Sequence, residues 1–158
     1  MRLIGILMML VMSNLANAQN IEFAPAWELE TEARERVSSK DFTGSTLVIH
    51  VWATWCPYCK KLQPGLDRLY KKYHSNGLNM IAISVREDEG ATPQAVLDER
   101  NLNIKTVVNG DKVAALFGVA GTPTTIFINR KGQIVAQTSS SDPDDVRLEQ
   151  AFKYLVEN

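Results

Sequence analysis

The stretch Val51-Trp52-Ala53-Thr54-Trp55-Cys56-Pro57-Tyr58-Cys59-Lys60 carries both cysteines of the chain, at positions 56 and 59. An apolar run over residues 47–53, interrupted only by His50, leads into it. A run that is apolar on both faces suits a central strand buried by helices on either side. Pro57 then falls where a helix begins, a place at which its missing N–H has no intrahelical partner to lose. The cysteine pair therefore sits where a strand passes into a helix. Two thiols at that spacing can close a small disulfide ring, and the helix start can hold one of them as thiolate, the nucleophile of disulfide exchange. The motif points to redox chemistry.

Outward from the pair, the pattern alternates helices with strands. Leu62, Leu66, Leu69, Tyr70 and Tyr73 continue the helix to a stop near Asn76-Gly77, with Pro64 inside it as an expected kink. Residues 78–85 read as the next strand, 93–100 as a helix capped by Thr92-Pro93, 104–108 as a short strand and 111–117 as a helical turn or two. Residues 124–129 and 133–137 flank the turn Arg130-Lys131-Gly132 and read as a hairpin. Asp142-Pro143-Asp144-Asp145 reads as a helix start with a capping acid and a proline in the first turn, and Leu148, Ala151, Phe152 and Leu155 form the stripe of that last helix. Upstream, residues 25–31 alternate as a half-exposed strand, residues 32–36 are a turn or short helix, and residues 37–42 are ambiguous. This order predicts an α/β sheet covered on both faces.

At 158 residues and 45% hydrophobic content the chain has room for one core. A net charge of −1 supplies no field to recruit nucleic acid or an anionic membrane surface. Arg2, the apolar residues 3–12 and the small residues Ala16-Asn17-Ala18 have the form of a secretory signal, cleaved near Ala18. The apolar part falls short of the roughly 18 residues that span a bilayer, so an uncleaved anchor is the weaker alternative. One domain over residues 19–158 and a periplasmic location are thus expected. In an oxidising compartment cysteines usually serve as structural staples, but a staple over two intervening residues closes too short a loop to constrain much.

Cys56, at the helix start, meets unpaired N–H groups and the positive end of the helix dipole, which favour its thiolate. Cys59 lies one turn further in. Cys56 is therefore the expected nucleophile and Cys59 the resolving thiol, with Pro57 and Tyr58 tuning the couple between them. No metal or cofactor is expected.

The quoted stretch resembles the active-site segment of the thioredoxin superfamily. Phe117-Gly118-Val119-Ala120-Gly121-Thr122-Pro123-Thr124-Thr125-Ile126-Phe127-Ile128-Asn129 resembles the cis-proline segment of that superfamily. With the export signal and the lead-in over residues 25–42, the chain is similar to the TlpA-like exported branch. The resemblance implies a thioredoxin fold, a central mixed sheet between helices with an N-terminal strand or hairpin extension. It also implies a cis Pro123, with Thr122 facing the cysteines. Trp55, Thr122 and Pro123 are then the candidate substrate groove, and Pro64 matches the structural helix proline of the family.

Two positions depart from the pattern. Where thioredoxin carries a buried proton-handling aspartate, and many TlpA-like members an asparagine, this chain has His50. It reads either as a base for Cys59 titrating around pH 6 to 7 or as a buried neutral imidazole. Leu62 replaces a glutamate carried by many members that serve cytochrome c maturation. Elsewhere, His74, Lys60 and Lys61 read as solvated helix residues, Trp27 as core or groove wall, and Trp52 as core.

These features predict a thiol–disulfide oxidoreductase acting on protein partners, with a membrane redox partner and a monomeric state. The resemblance tilts the direction towards reductant. The alternatives are a DsbA-like oxidant and a copper-handling protein, for which two soft thiolates suit Cu(I) but lack a surrounding Met or His cluster.

Overall fold

The computed structural model describes residues 22–158. The expected export signal, residues 1–18, lies outside the described residues. Five strands form the main sheet in the order β5-β4-β3-β6-β7. They are β3 (Thr46–Trp52), β4 (Leu78–Ser84), β5 (Thr106–Val107), β6 (Thr124–Ile128) and β7 (Ile134–Thr138). The β3–β4 and β4–β5 pairs are parallel, while β6 runs antiparallel to β3 and β7 antiparallel to β6. The sheet is mixed, as the resemblance implies.

All seven residues of β3 are buried, His50 included, so the apolar run at 47–53 is the centre of the sheet. Alternation sends its side chains to two cores. Val48 and Trp52 pack with Leu62, Leu66, Phe127, Phe152 and Leu155 under α1 (Pro57–Tyr73) and α4 (Val146–Glu157). Leu47, Ile49 and Val51 pack with Trp27, Ile83, Phe117 and Ile126 on the other side, beneath α3 (Asp111–Leu116). Leu97 of α2 (Pro93–Glu99) belongs to the first core. Each fully buried aliphatic side chain contributes about 1.5–3 kcal/mol through removal from water.

The helix that starts at Pro57 runs through Pro64 to Tyr73, then a 3-10 turn ends at Gly77 in the left-handed region (φ 82°). Gly65 sets how closely this helix meets the loop before α4. A Cβ there would stand 2.3 Å from the Pro143 carbonyl oxygen, so only glycine fits. Arg68 reinforces the contact by donating to that same oxygen at 3.0 Å.

The structure corrects several expected boundaries. The strand read at 104–108 is confined to Thr106–Val107. The expected N-terminal extension is present as a small separate antiparallel sheet, its strands confined to β1 (Glu28–Glu30) and β2 (Arg36–Ser38) and followed by a 3-10 turn. The Thr92 side chain stands at the start of α2 without making a capping bond. The last helix is capped by Asp145, whose carboxylate accepts from the Arg147 N–H, and begins only at Val146. Pro143 precedes that cap because its backbone is engaged against Gly65 and Arg68.

Candidate functional site

The cysteines join in a disulfide, with Cα atoms 5.3 Å apart. Cys56 is the N-cap of α1, in extended conformation, and Pro57 occupies the first turn. The Cys56 Sγ accepts the Cys59 backbone N–H at 3.1 Å. One of the helix's orphan donors is thereby aimed at the sulfur, the arrangement that stabilises negative charge on it. Cys59 is fully buried and Cys56 nearly so, at 2% exposure, so approach to the pair is narrow. Pro57 and Tyr58 stand out between them, Tyr58 at 63% exposure.

The turn that presents Cys56 is held from the end of β4. Thr54 donates its backbone N–H to Glu87 Oε1 at 2.8 Å and its hydroxyl to Glu87 Oε2. Ser84 donates to the same carboxylate, and the Trp55 indole donates to the Arg86 carbonyl at 2.7 Å. The bonds to the Glu87 carboxylate are charge-assisted and stronger than neutral ones, and together with the indole bond they tie the approach to Cys56 to the neighbouring strand. Glu87 escaped the sequence reading. Its only local signal is an acid placed just after a buried strand.

Thr122, Pro123 and Tyr58 line one cleft of about 520 Å³, together with Gln137, Thr138 and Ser141. The Thr122–Pro123 peptide is cis. Among the described residues the lining holds hydroxyl, amide and apolar groups and no charged side chain. Trp55, grouped with this groove on sequence, is absent from its lining and lies half-exposed on the Arg86 side of the motif. Lys60 and Lys61 are exposed, Trp52 packs in the core with its indole donating to Thr106 Oγ1 at 3.1 Å, and Trp27 packs in the opposite core near Phe42.

His50 is fully buried, and desolvation pushes its imidazole down to about 3. Burial therefore favours the neutral ring over the imidazolium at this position. The physical reason is burial without a counter-charge: among the described residues the ring's one hydrogen-bond neighbour is the Gln63 amide nitrogen, 3.4 Å from Nε2. Gln63, also fully buried, accepts from Arg100, whose guanidinium also donates to the Lys60 carbonyl at 2.6 Å. Neither Gln63 nor Arg100 was singled out on sequence. The available signal was a polar residue one turn after Cys59 on the inward face of an amphipathic helix.

The model of the AhpC/TSA family matches residues 22–137. Thiol-disulfide oxidoreductase ResA of Halalkalibacterium halodurans is 32% identical over 115 residues, 72% of this chain and 65% of that protein. ResA of Bacillus subtilis is 31% identical over 113 residues, 71% of this chain and 63% of that protein. The chain thus spans just under two thirds of the length of these relatives. A Chlorobium tepidum crystal structure assigned as a thiol:disulfide interchange protein DsbE superposes with TM-score 0.76 at 26% identity, covering 86% of this chain and 96% of that one. A secreted Mycobacterium tuberculosis disulfide oxidoreductase shares the fold, with TM-score 0.70 at 20% identity over 82% of this chain and 96% of that one. The family match takes in the cysteine turn, the Thr122–Pro123 loop and nearly all of the mixed sheet, and the chain belongs to the AhpC/TSA family of the thioredoxin superfamily.

Proposed function

We propose that this chain is an exported thiol–disulfide oxidoreductase that exchanges its Cys56–Cys59 disulfide with cysteines of protein partners. The observation that carries the reading is the Cys56 sulfur seated at the N-cap of α1, accepting the Cys59 N–H, beside an uncharged cleft lined by Tyr58, Thr122 and Pro123. Cys56 is the attacking nucleophile. A partner thiol or disulfide reaches it along the cleft, whose hydroxyl and amide side chains suit an extended peptide of any charge. Cys59, deeper under the helix, resolves the mixed disulfide. Tyr58 and Pro57 set the access and the balance between the two sulfurs.

The relatives bearing the name thiol-disulfide oxidoreductase support the activity, and the form of residues 1–18 supports export to the periplasm with cleavage near Ala18. In that oxidising space a reductant must be recharged by a membrane electron donor, and we assign this direction, with the protein acting as a monomer. A disulfide-reductase assay with a disulfide-bonded model protein, run beside the redox equilibrium with glutathione, tests both parts. Catalysed reduction with a potential nearer roughly −270 mV than −120 mV supports the reductant. A potential near the upper value turns the direction over to oxidant, and no exchange at all removes the activity.

A further inference from the structure

His50 and Thr125 stand directly opposite each other on β3 and β6. Both are fully buried, and both point to the α1 side of the sheet, the face they share with Val48, Trp52 and Phe127 of that core. Their atoms His50 Nδ1 and Thr125 Oγ1 are buried without a hydrogen-bond partner among the described residues. Such orphans are costly and ask for an explanation.

The hydrogen bonds above the imidazole decide its tautomer. Arg100 can only donate, so the Gln63 oxygen faces it and the Gln63 amide nitrogen faces His50. That nitrogen also can only donate, so His50 Nε2 accepts and the ring proton sits on Nδ1. The orphan on His50 is thus an N–H donor, and the Thr125 hydroxyl opposite it can donate as well as accept. Gln63 stands four residues after Cys59, on the same face of α1. Gln63 thus links the ring to the helix face that carries Cys59 one turn earlier. Gln63 faces His50 from α1, Thr125 from β6 and Ala82 from β4. Asp67, the nearest acid further along the helix, is taken up by the Asn103 N–H and Lys71.

We propose that His50 Nδ1–H and the Thr125 hydroxyl form a neutral donor pair for the Cys59 sulfur when the disulfide opens, with Gln63 and Arg100 as positioning residues that hold the imidazole in this tautomer. The inference rests on the disulfide-exchange reading. A partner thiolate attacks Cys56 Sγ, a bond forms between the two, and the Cys56–Cys59 bond breaks with its electron pair on Cys59 Sγ. That thiolate accepts hydrogen bonds from the two donors; no proton changes hands, and the partner thiol is the only reductant. In the reverse direction Cys59 gives up these bonds as it attacks the mixed disulfide.

The test titrates Cys59 by its thiolate absorbance in the full chain bearing Cys56→Ser. Adding Thr125→Val, which keeps the shape and removes the donor, should lower the acid dissociation constant of Cys59 about tenfold, one pKa unit. Adding Thr125→Ser, which restores a hydroxyl, should not. An unchanged constant with Thr125→Val overturns the donor pair. Nitrogen-15 NMR of the otherwise native protein should show the Nδ1–H tautomer of His50, lost or mixed in Gln63→Leu; a native Nε2–H tautomer overturns the positioning role. Should Thr125→Val not fold, Gln63→Leu carries the titration too, with the same fall expected and an unchanged constant again overturning the proposal. Failure of the native pair to cycle with dithiothreitol would instead remove the exchange reading, and neither the titration nor the NMR depends on that cycling.

Discussion

The two faces of β3 are one strand with two physical tasks. On the face towards α3, Leu47, Ile49 and Val51 meet Ile81, Ile83, Ile126 and Ile128, an aliphatic surface without a polar side chain among those residues. On the face towards α1, Val48 and Trp52 flank His50, with the buried polar Gln63 of α1 in contact with it and Thr125 opposite it on β6. The first face only has to pack. The second gives up packing energy, since buried polar groups cost stability unless paired, and it does so against the helix that carries both cysteines' turn. Alternation with a period of two keeps the tasks apart, because neighbouring residues of a strand point to opposite sides.

The comparison predicts that damage to each face reads out differently. Cys56→Ser should abolish disulfide exchange altogether, while Cys59→Ser should accumulate mixed disulfides with partners, visible on non-reducing gels. Equal trapping by both variants would mean that the two sulfurs are not distinguished by their places at and beneath the helix start. On the other face, Ile49→Ala should cost about 2–5 kcal/mol in urea unfolding, through lost burial and a residual cavity. The redox equilibrium with glutathione should stay as in the native protein; a shifted equilibrium would show that the faces are coupled.

A third measurement uses pH. The folded-state pKa of His50, about 3, lies below the usual imidazole value of 6.5. The stability owed to the neutral ring is therefore complete above the unfolded value and is lost as pH falls from 6.5 towards 3. Between pH 7 and pH 5 the native protein should lose about 2 kcal/mol more than His50→Asn, because the unfolded chain alone takes up the proton. Equal losses would mean that the ring charges in place. The smallest effect is expected at the edge of the site. Glu87→Gln keeps the shape but weakens the bonds to Thr54 and Ser84, at roughly 1–2 kcal/mol, and should speed alkylation of reduced Cys56 by loosening its turn. An unchanged alkylation rate would make Glu87 a contributor to stability alone.

Much of this was legible before any tertiary contact was known. The order of helices and strands follows from periodicity, because a buried strand and an amphipathic helix each need their own spacing of apolar side chains. Where periodicity was weak, boundaries slipped: residues 104–108 are too short and mixed to announce that only Thr106–Val107 pair, and two aspartates flanking Pro143 left the cap of α4 ambiguous until the loop docked on Gly65.

The sequence by itself determined the chemistry, since two thiols three positions apart at a helix start are local, and the chain connecting them fixes their geometry. It also marked His50 as an anomaly, a polar ring in an apolar strand. What the ring can do was decided only by tertiary structure. Its partner Gln63 is 13 residues away, the Arg100 that orients Gln63 is 37 residues further on, and Thr125 reaches it only through strand pairing. Burial and the direction of a hydrogen bond are properties of residues brought together, and no local pattern encodes them.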